Sequence, residues 1–119
     1  MKDINKYRGI IPAFYACYAP DGSISTEGVK ALTRHLIAKG VKGVYVGGSS
    51  GECIYQHVDE RKAVLEAVMS EAKGKITVIA HVACNNTRDS MELAAHAESA
   101  GADCIAAIPP IYFLSLIHI

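Results

Sequence analysis

Lys39-Gly40-Val41-Lys42-Gly43-Val44-Tyr45-Val46-Gly47-Gly48-Ser49-Ser50-Gly51-Glu52 joins a helix stop, a strand and a turn of small residues in one continuous stretch. Gly40 supplies the left-handed residue that commonly ends a helix. Residues 41–47 are almost continuously apolar, which is how a strand of a parallel sheet covered on both faces reads. The turn that follows offers backbone N–H groups and two hydroxyls at the C-terminal end of that strand, where α/β folds bind ligands. An anion such as a carboxylate suits those donors. A turn of this composition also serves as a plain flexible connector. It lacks both the lysine of the GxxxxGK[ST] phosphate loop and the spacing of the GxGxxG dinucleotide loop.

Outward from this stretch the alternation repeats. Residues 8–16, 76–83 and 103–109 are further strand candidates, which makes four strands with three helical patterns between them. Ser25 or Thr26 can cap the first helix, whose apolar positions Val29, Leu32, Leu36 and Ile37 fall on one face. The second helix is predicted to start at an Asp59 cap, to bury Val64, Leu65, Val68 and Ala72, and to stop at Gly74. The third runs from about Arg88, capped by Thr87, to Ala100, with Met91, Ala94, Ala95 and Ala97 as a small apolar side and Gly101 as its stop. The segments at 39–44 and 100–105 both pass from helix end through glycine into strand, a weak internal echo of a βα unit. Right-handed crossovers then imply a parallel sheet, either doubly wound or part of a barrel. A complete barrel takes about 250 residues, so the length of 119 residues favours the doubly wound alternative on pattern alone.

Half of the residues are hydrophobic and the formal net charge is zero. That balance does not suit nucleic acid or an anionic membrane surface. The polar start of the chain carries neither a signal-peptide core nor an apolar run near the roughly 20 residues of a membrane span, so a cytoplasmic location is expected. Cys17, Cys53, Cys84 and Cys104 form no CxxC pair, and reduced, mostly buried thiols are expected rather than disulfides or a metal site. The histidines at 35, 57, 81, 96 and 118 form no HxH or HxxxH pair. His81, within an apolar strand, reads as a hydrogen-bonded interior histidine rather than a base. Glu52 reads as ordering the serine turn, and Asn85 and Asn86 as either ligand contacts or ordinary turn and cap residues.

The run at 47–52, Glu60-Arg61 opening a helix, Lys73-Gly74-Lys75-Ile76 and Ile79-Ala80-His81-Val82 together resemble the N-acetylneuraminate lyase and dihydrodipicolinate synthase superfamily. The paired glycines, the Ala80-His81-Val82-Ala83-Cys84 strand end and Ile108-Pro109-Pro110-Ile111-Tyr112-Phe113 are more similar to the neuraminate lyase branch. The resemblance covers about residues 7–113 and implies the N-terminal part of a (β/α)8 barrel with parallel strands. It implies a Schiff-base aldolase that cleaves N-acetylneuraminate into N-acetylmannosamine and pyruvate, works without metal or organic cofactor, and assembles as a homotetramer when complete. Ser49 and Ser50, with Gly48, would hold the substrate carboxylate. Tyr112 would reach toward a neighbouring subunit's site; an aromatic after a strand end is also common packing.

The family's Schiff-base lysine and its proton-relay tyrosine belong to strands beyond residue 119. Lys30, Lys39, Lys62 and Lys73 are expected in or near helices, and Lys42 at the opposite mouth, so none replaces that lysine. The 119-residue chain by itself is therefore expected to be inactive. Where many relatives carry Thr-Pro-Phe near the end of the first strand, this chain has Ala16-Cys17-Tyr18, and that threonine's substrate contact does not carry over. Residues 1–113 are expected to be the N-terminal half of a barrel domain. Residues 114–119, Leu-Ser-Leu-Ile-His-Ile, resemble neither the family nor a helix cap and are expected to mark a truncated or chimeric reading frame. A dihydrodipicolinate synthase-like pyruvate aldolase and a non-catalytic, flavodoxin-like carboxylate-binding module are the alternative readings.

Overall fold

Gly40, Gly74 and Gly101 adopt φ of 77°, 75° and 87°, and each stands where a helix hands the chain to a strand. The computed structural model describes residues 3–109. Its helices are α1 (Thr26–Ala38), α2 (Val58–Ala72) and α3 (Thr87–Ala100), and its strands β1 (Gly43–Val46), β2 (Thr77–His81) and β3 (Cys104–Ala106). The strand centres fall where the apolar runs predict them, with shorter ends.

Helix starts follow side-chain chemistry. Ser25 accepts the Gly28 N–H at 3.1 Å. Asn86 rather than Thr87 caps α3, accepting the Asp89 N–H at 2.8 Å, and Thr87 becomes the first helical residue. The expected Asp59 cap is also displaced. The cap of α2 is His57, because the Glu60 carboxylate reaches back to accept the His57 N–H at 2.8 Å. Asp59 instead occupies the first turn, where its charge complements the helix dipole.

All pairings are parallel and the strand order is β1-β2-β3. Val44 lies opposite Val78, and Val46 opposite Ala80. These four residues enter a core with Phe14, Val29, Val64, Leu65, Val68, Leu93 and Ala97. Burial of each such valine or leucine contributes roughly 1.5–3 kcal/mol. On α3 the buried pair is Leu93 and Ala97, while Met91 and Ala95, expected on the apolar side, face solvent. The i, i+4 spacing of Leu93 and Ala97 sets the contact stripe one step from the predicted one.

The strand expected at residues 8–16 is reduced to a single bridge, Ala13 to Tyr45. Its hydrogen bonds are those of a parallel neighbour of β1: Lys42 N–H to Ile10 O at 2.9 Å, Tyr45 N–H to Pro12 O at 2.9 Å and Phe14 N–H to Tyr45 O at 2.8 Å. The next rung would need an N–H from residue 12, and proline has none.

α1 packs beside α2, and α2 beside α3, all on the face that carries Val44, Val46, Val78 and Ala80. The opposite face shows Tyr45, Ile79 and Cys104 in register across the three strands, all half-buried. A sequential strand order with helices on one face is an arc of a barrel. A doubly wound sheet would reverse its order and carry helices on both faces, so the flavodoxin-like alternative does not hold. At the N-terminal ends of the strands, Lys6 pairs with Asp103 at 3.0 Å and its carbonyl accepts from Thr77 Oγ1 at 2.9 Å.

Among the described residues Ile10, Tyr15, Ile105 and Ile108 are 75%, 65%, 52% and 42% exposed, next to unpaired strand edges. The 119-residue chain alone is expected to self-associate through these surfaces, as dose-dependent light scattering would record. A monomer with a sharp two-state melt would contradict this.

Candidate active site

Gly47, with φ of 74°, turns the chain out of β1 into a short 3-10 turn at Ser49–Gly51. The turn closes on itself: Gly51 N–H meets Gly48 O at 3.0 Å and Glu52 N–H meets Ser49 O at 2.9 Å. The Ser49 and Ser50 amides precede the first internal bond of the turn and so have no partner within it. Both serines are exposed, whereas Gly48 is buried. A Cβ on Gly48 would lie 2.7 Å from the Tyr45 ring, and one on Gly51 2.8 Å from the Phe14 carbonyl oxygen. The turn therefore rests directly on Tyr45 and on the end of the first extended segment. The Glu52 carboxylate, expected to order the turn, accepts no hydrogen bond from it among the described residues; the residue contributes by its backbone, whose φ of 61° lies in the left-handed region and links two successive 3-10 turns.

Beneath the turn lies a buried arginine. Arg61, in the first turns of α2, is 6% exposed. Its Nη2 donates to His81 O at 2.7 Å and to Gly47 O at 3.5 Å. Its Nη1 donates to Ala83 O at 2.8 Å and to Cys84 Sγ at 3.1 Å. One guanidinium thus ties together the C-terminal ends of β1 and β2.

His81 completes the tie. Its Nδ1 lies 2.7 Å from Gly47 O, so Nδ1 carries the proton and donates; a bare nitrogen there would face the carbonyl lone pairs. The ring is 6.0 Å from that of Tyr45. Burial holds the imidazole below its ordinary value of 6.5, and the neighbouring guanidinium adds to this, while the bond to Gly47 opposes it. The site histidine is therefore neutral at physiological pH. This matches the interior, hydrogen-bonded role expected for it.

The other sequence candidates are placed as follows. Asn86 is the α3 cap, and Asn85 lines a cavity of about 620 Å³ between the N-terminal ends of α2 and α3 that also touches Arg61 and His81. Lys30 pairs with Glu27 and Lys62 with Glu92; Lys39 and Lys73 are helix C-caps; Lys42 precedes β1. Lys62 is the one nearest the cavity, and its ammonium is engaged by Glu92. Only Cys53 of the four thiols is buried, the others being half-buried, fewer than expected. Among the described residues no three His, Cys, Asp or Glu side chains gather as a metal site, and no helix is long and apolar enough to cross a membrane. Tyr112 lies outside the described residues.

The model of the Dihydrodipicolinate synthetase family matches residues 6–115. The chain belongs to that family. It is 69% identical over 113 residues to the N-acetylneuraminate lyase of Mediterraneibacter gnavus, covering 95% of this chain and 36% of the relative. It superposes on the wild-type sialic acid aldolase of Ruminococcus gnavus with a TM-score of 0.90 at 71% identity, covering 92% of this chain and 36% of that one. The catalytic lysine mutant of the same aldolase gives a TM-score of 0.93 at 68% identity, covering 96% and 37%. The chain thus spans a little over a third of the length of these relatives, and its sheet and helices are the N-terminal part of a (β/α)8 barrel.

In this family member the residue that a sequence reading passes over is Arg61. A signal for it exists: residues 61, 64, 65, 68 and 72 follow helical spacing, so Arg61 falls on the same stripe as four buried apolar side chains. A charge on an apolar stripe marks a buried ionic contact.

An unfolded histidine takes up its proton near the ordinary value, whereas folded His81 does so at lower pH. Its contribution is therefore complete above about pH 6.5 and is lost as the pH falls below that value. In a complete barrel chain carrying this segment, the denaturant midpoint should fall between pH 7.5 and 5.5. It should fall less in His81→Asn, whose amide keeps a donor to Gly47. Equal slopes in both proteins would contradict the assignment.

Proposed function

We propose that this chain is the carboxylate-binding part of an N-acetylneuraminate lyase, which cleaves N-acetylneuraminate into N-acetylmannosamine and pyruvate through a Schiff base. The observation that carries the reading is the Ser49–Gly51 turn at the end of β1, with two exposed hydroxyls above a buried guanidinium. A 2-oxo acid must be gripped by its carboxylate so that its carbonyl faces the attacking amine, and oriented donors do this without reorganising. In this reading Ser49, Ser50 and the amides that follow Gly48 supply those donors, and Ser49 also joins the proton-relay network. A lysine of a later strand condenses with the carbonyl, releasing water. The resulting iminium accepts the electron pair of the breaking carbon–carbon bond, and protonation and hydrolysis of the enamine then free pyruvate. The lysine supplies the electron sink, so the reaction draws on no metal or organic cofactor.

The same reading makes this chain the N-terminal part of a barrel domain in a cytoplasmic homotetramer, with Tyr112 contributed toward a neighbouring subunit's site and the last residues, beyond the family match that ends at 115, foreign to the family. The match to the Dihydrodipicolinate synthetase family favours one second reading, a dihydrodipicolinate synthase-like condensation of pyruvate with aspartate semialdehyde, which would use the same turn.

The test is turnover by a complete barrel chain that carries this segment. Pyruvate release from N-acetylneuraminate is expected, and Ser50→Ala should raise KM by roughly tenfold, the value of one charge-assisted hydrogen bond. Condensation with the semialdehyde in place of sialate cleavage would favour the second reading. Pyruvate binding without either reaction would leave a carboxylate-binding module.

A further inference from the structure

We infer that Arg61 is a positioning residue for the substrate carboxylate, acting through the Gly47 carbonyl and His81; the inference rests on the reading of the Ser49–Gly51 turn as the carboxylate site. The guanidinium is 6% exposed, and its contacts are carbonyl oxygens and one sulfur: His81 O, Ala83 O, Gly47 O and Cys84 Sγ. None of the five salt bridges among the described residues involves it. Its terminal nitrogens are therefore held by main-chain dipoles, Nε is buried with no partner among the described residues, and no carboxylate lies within ion-pair distance, although Asp59, Asp89 and Glu92 line the same cavity. Such a charge at the mouth of the strands leaves positive potential for an incoming anion, stronger for being out of water.

Its geometric effect is at least as direct. Gly47 O receives His81 Nδ1–H at 2.7 Å as well as the longer Arg61 contact. Because a trans peptide is planar, fixing that carbonyl fixes the direction of the Gly48 N–H on the other side of the same bond. Gly47 is the hinge of the turn, with φ of 74°, a region where glycine has freedom to swing. Arg61 and His81 remove that freedom. Arg61 also holds His81 O and Ala83 O, so it keeps β2, and with it the His81 ring, at a constant height beside Gly47. The peptide plane that leads into the serine turn is thus set from α2.

Positioning predicts weaker ground-state capture with the chemistry preserved. In a complete barrel chain carrying this segment, Arg61→Lys keeps the charge but cannot span three carbonyls, and Arg61→Ala removes both. Each should raise KM for the 2-oxo acid by on the order of tenfold or more while kcat stays within about threefold. Borohydride should still trap pyruvate on Arg61→Ala at saturating pyruvate. Millimolar guanidinium should restore its KM, which a general loss of packing would not allow. Unchanged KM in both folded variants, or equal losses in kcat and kcat/KM without guanidinium rescue, would overturn the inference. Ser50→Ala separates this from the reading beneath it. If Ser50→Ala leaves KM unaltered the carboxylate site itself is wrong; if it raises KM while Arg61→Lys does not, only the role of Arg61 falls. Should neither Arg61 variant fold, the side-chain ¹⁵N resonances of Arg61 in the unmodified protein must shift on saturation with pyruvate, and their constancy would refute the inference.

Discussion

The buried guanidinium of Arg61 bonds to carbonyls at the ends of two strands, and the site depends on that contact. Desolvating a charge costs several kcal/mol unless the protein replaces the lost water, and a lone buried arginine is tolerated only when its donors are engaged. Here the carbonyls of His81, Ala83 and Gly47 engage the two terminal nitrogens, while Nε is buried with no partner among the described residues. All three belong to residues at or just beyond the C-terminal ends of β1 and β2, where the chain leaves the ladder and its carbonyls need partners. The arginine and the strand ends satisfy one another. His81, neutral and turned onto Gly47, closes the gap between the strands.

The remaining architecture brings that contact about. Glu60 fixes the start of α2 through the His57 N–H, and from there helical spacing carries Arg61 onto the stripe that Val64, Leu65 and Val68 bury against the sheet. Sequential parallel pairing places the ends of β1 and β2 side by side. Gly48 and Gly51 let the serine turn settle on Tyr45 and on the Phe14 carbonyl. The hydroxyls and amides of Ser49 and Ser50 then stand at the mouth of the barrel arc, beside a guanidinium that forms no direct ion pair among the described residues.

Much of this was legible in the sequence because it is written in local chemistry. The three glycine stops, the apolar strand runs and the small-residue turn each follow from one or two residues. What was misread depended on contacts between distant residues. Pro12 denies a rung to the first strand only once its partner Tyr45 is known. Asp59 lost the cap of α2 because Glu60 reached backward from within the helix, and Leu93 displaced Met91 because the sheet lies on one particular side of α3. Barrel and doubly wound sheets share the same βα alternation, and only strand order and helix sidedness separate them. The burial of Arg61 was visible as spacing, but its partners are main-chain carbonyls, which no side-chain motif reveals. The role of Tyr112 falls beyond the described residues.

The measurement that tests the account most directly is a crystal structure of a complete barrel chain carrying this segment, soaked with pyruvate at neutral pH. The account predicts the carboxylate within hydrogen-bonding distance of the Ser49 and Ser50 donors, with the Gly47 carbonyl still held by His81 and Arg61. A carboxylate bound elsewhere, such as in the cavity between the N-terminal ends of α2 and α3, with the serine turn vacant, would contradict it.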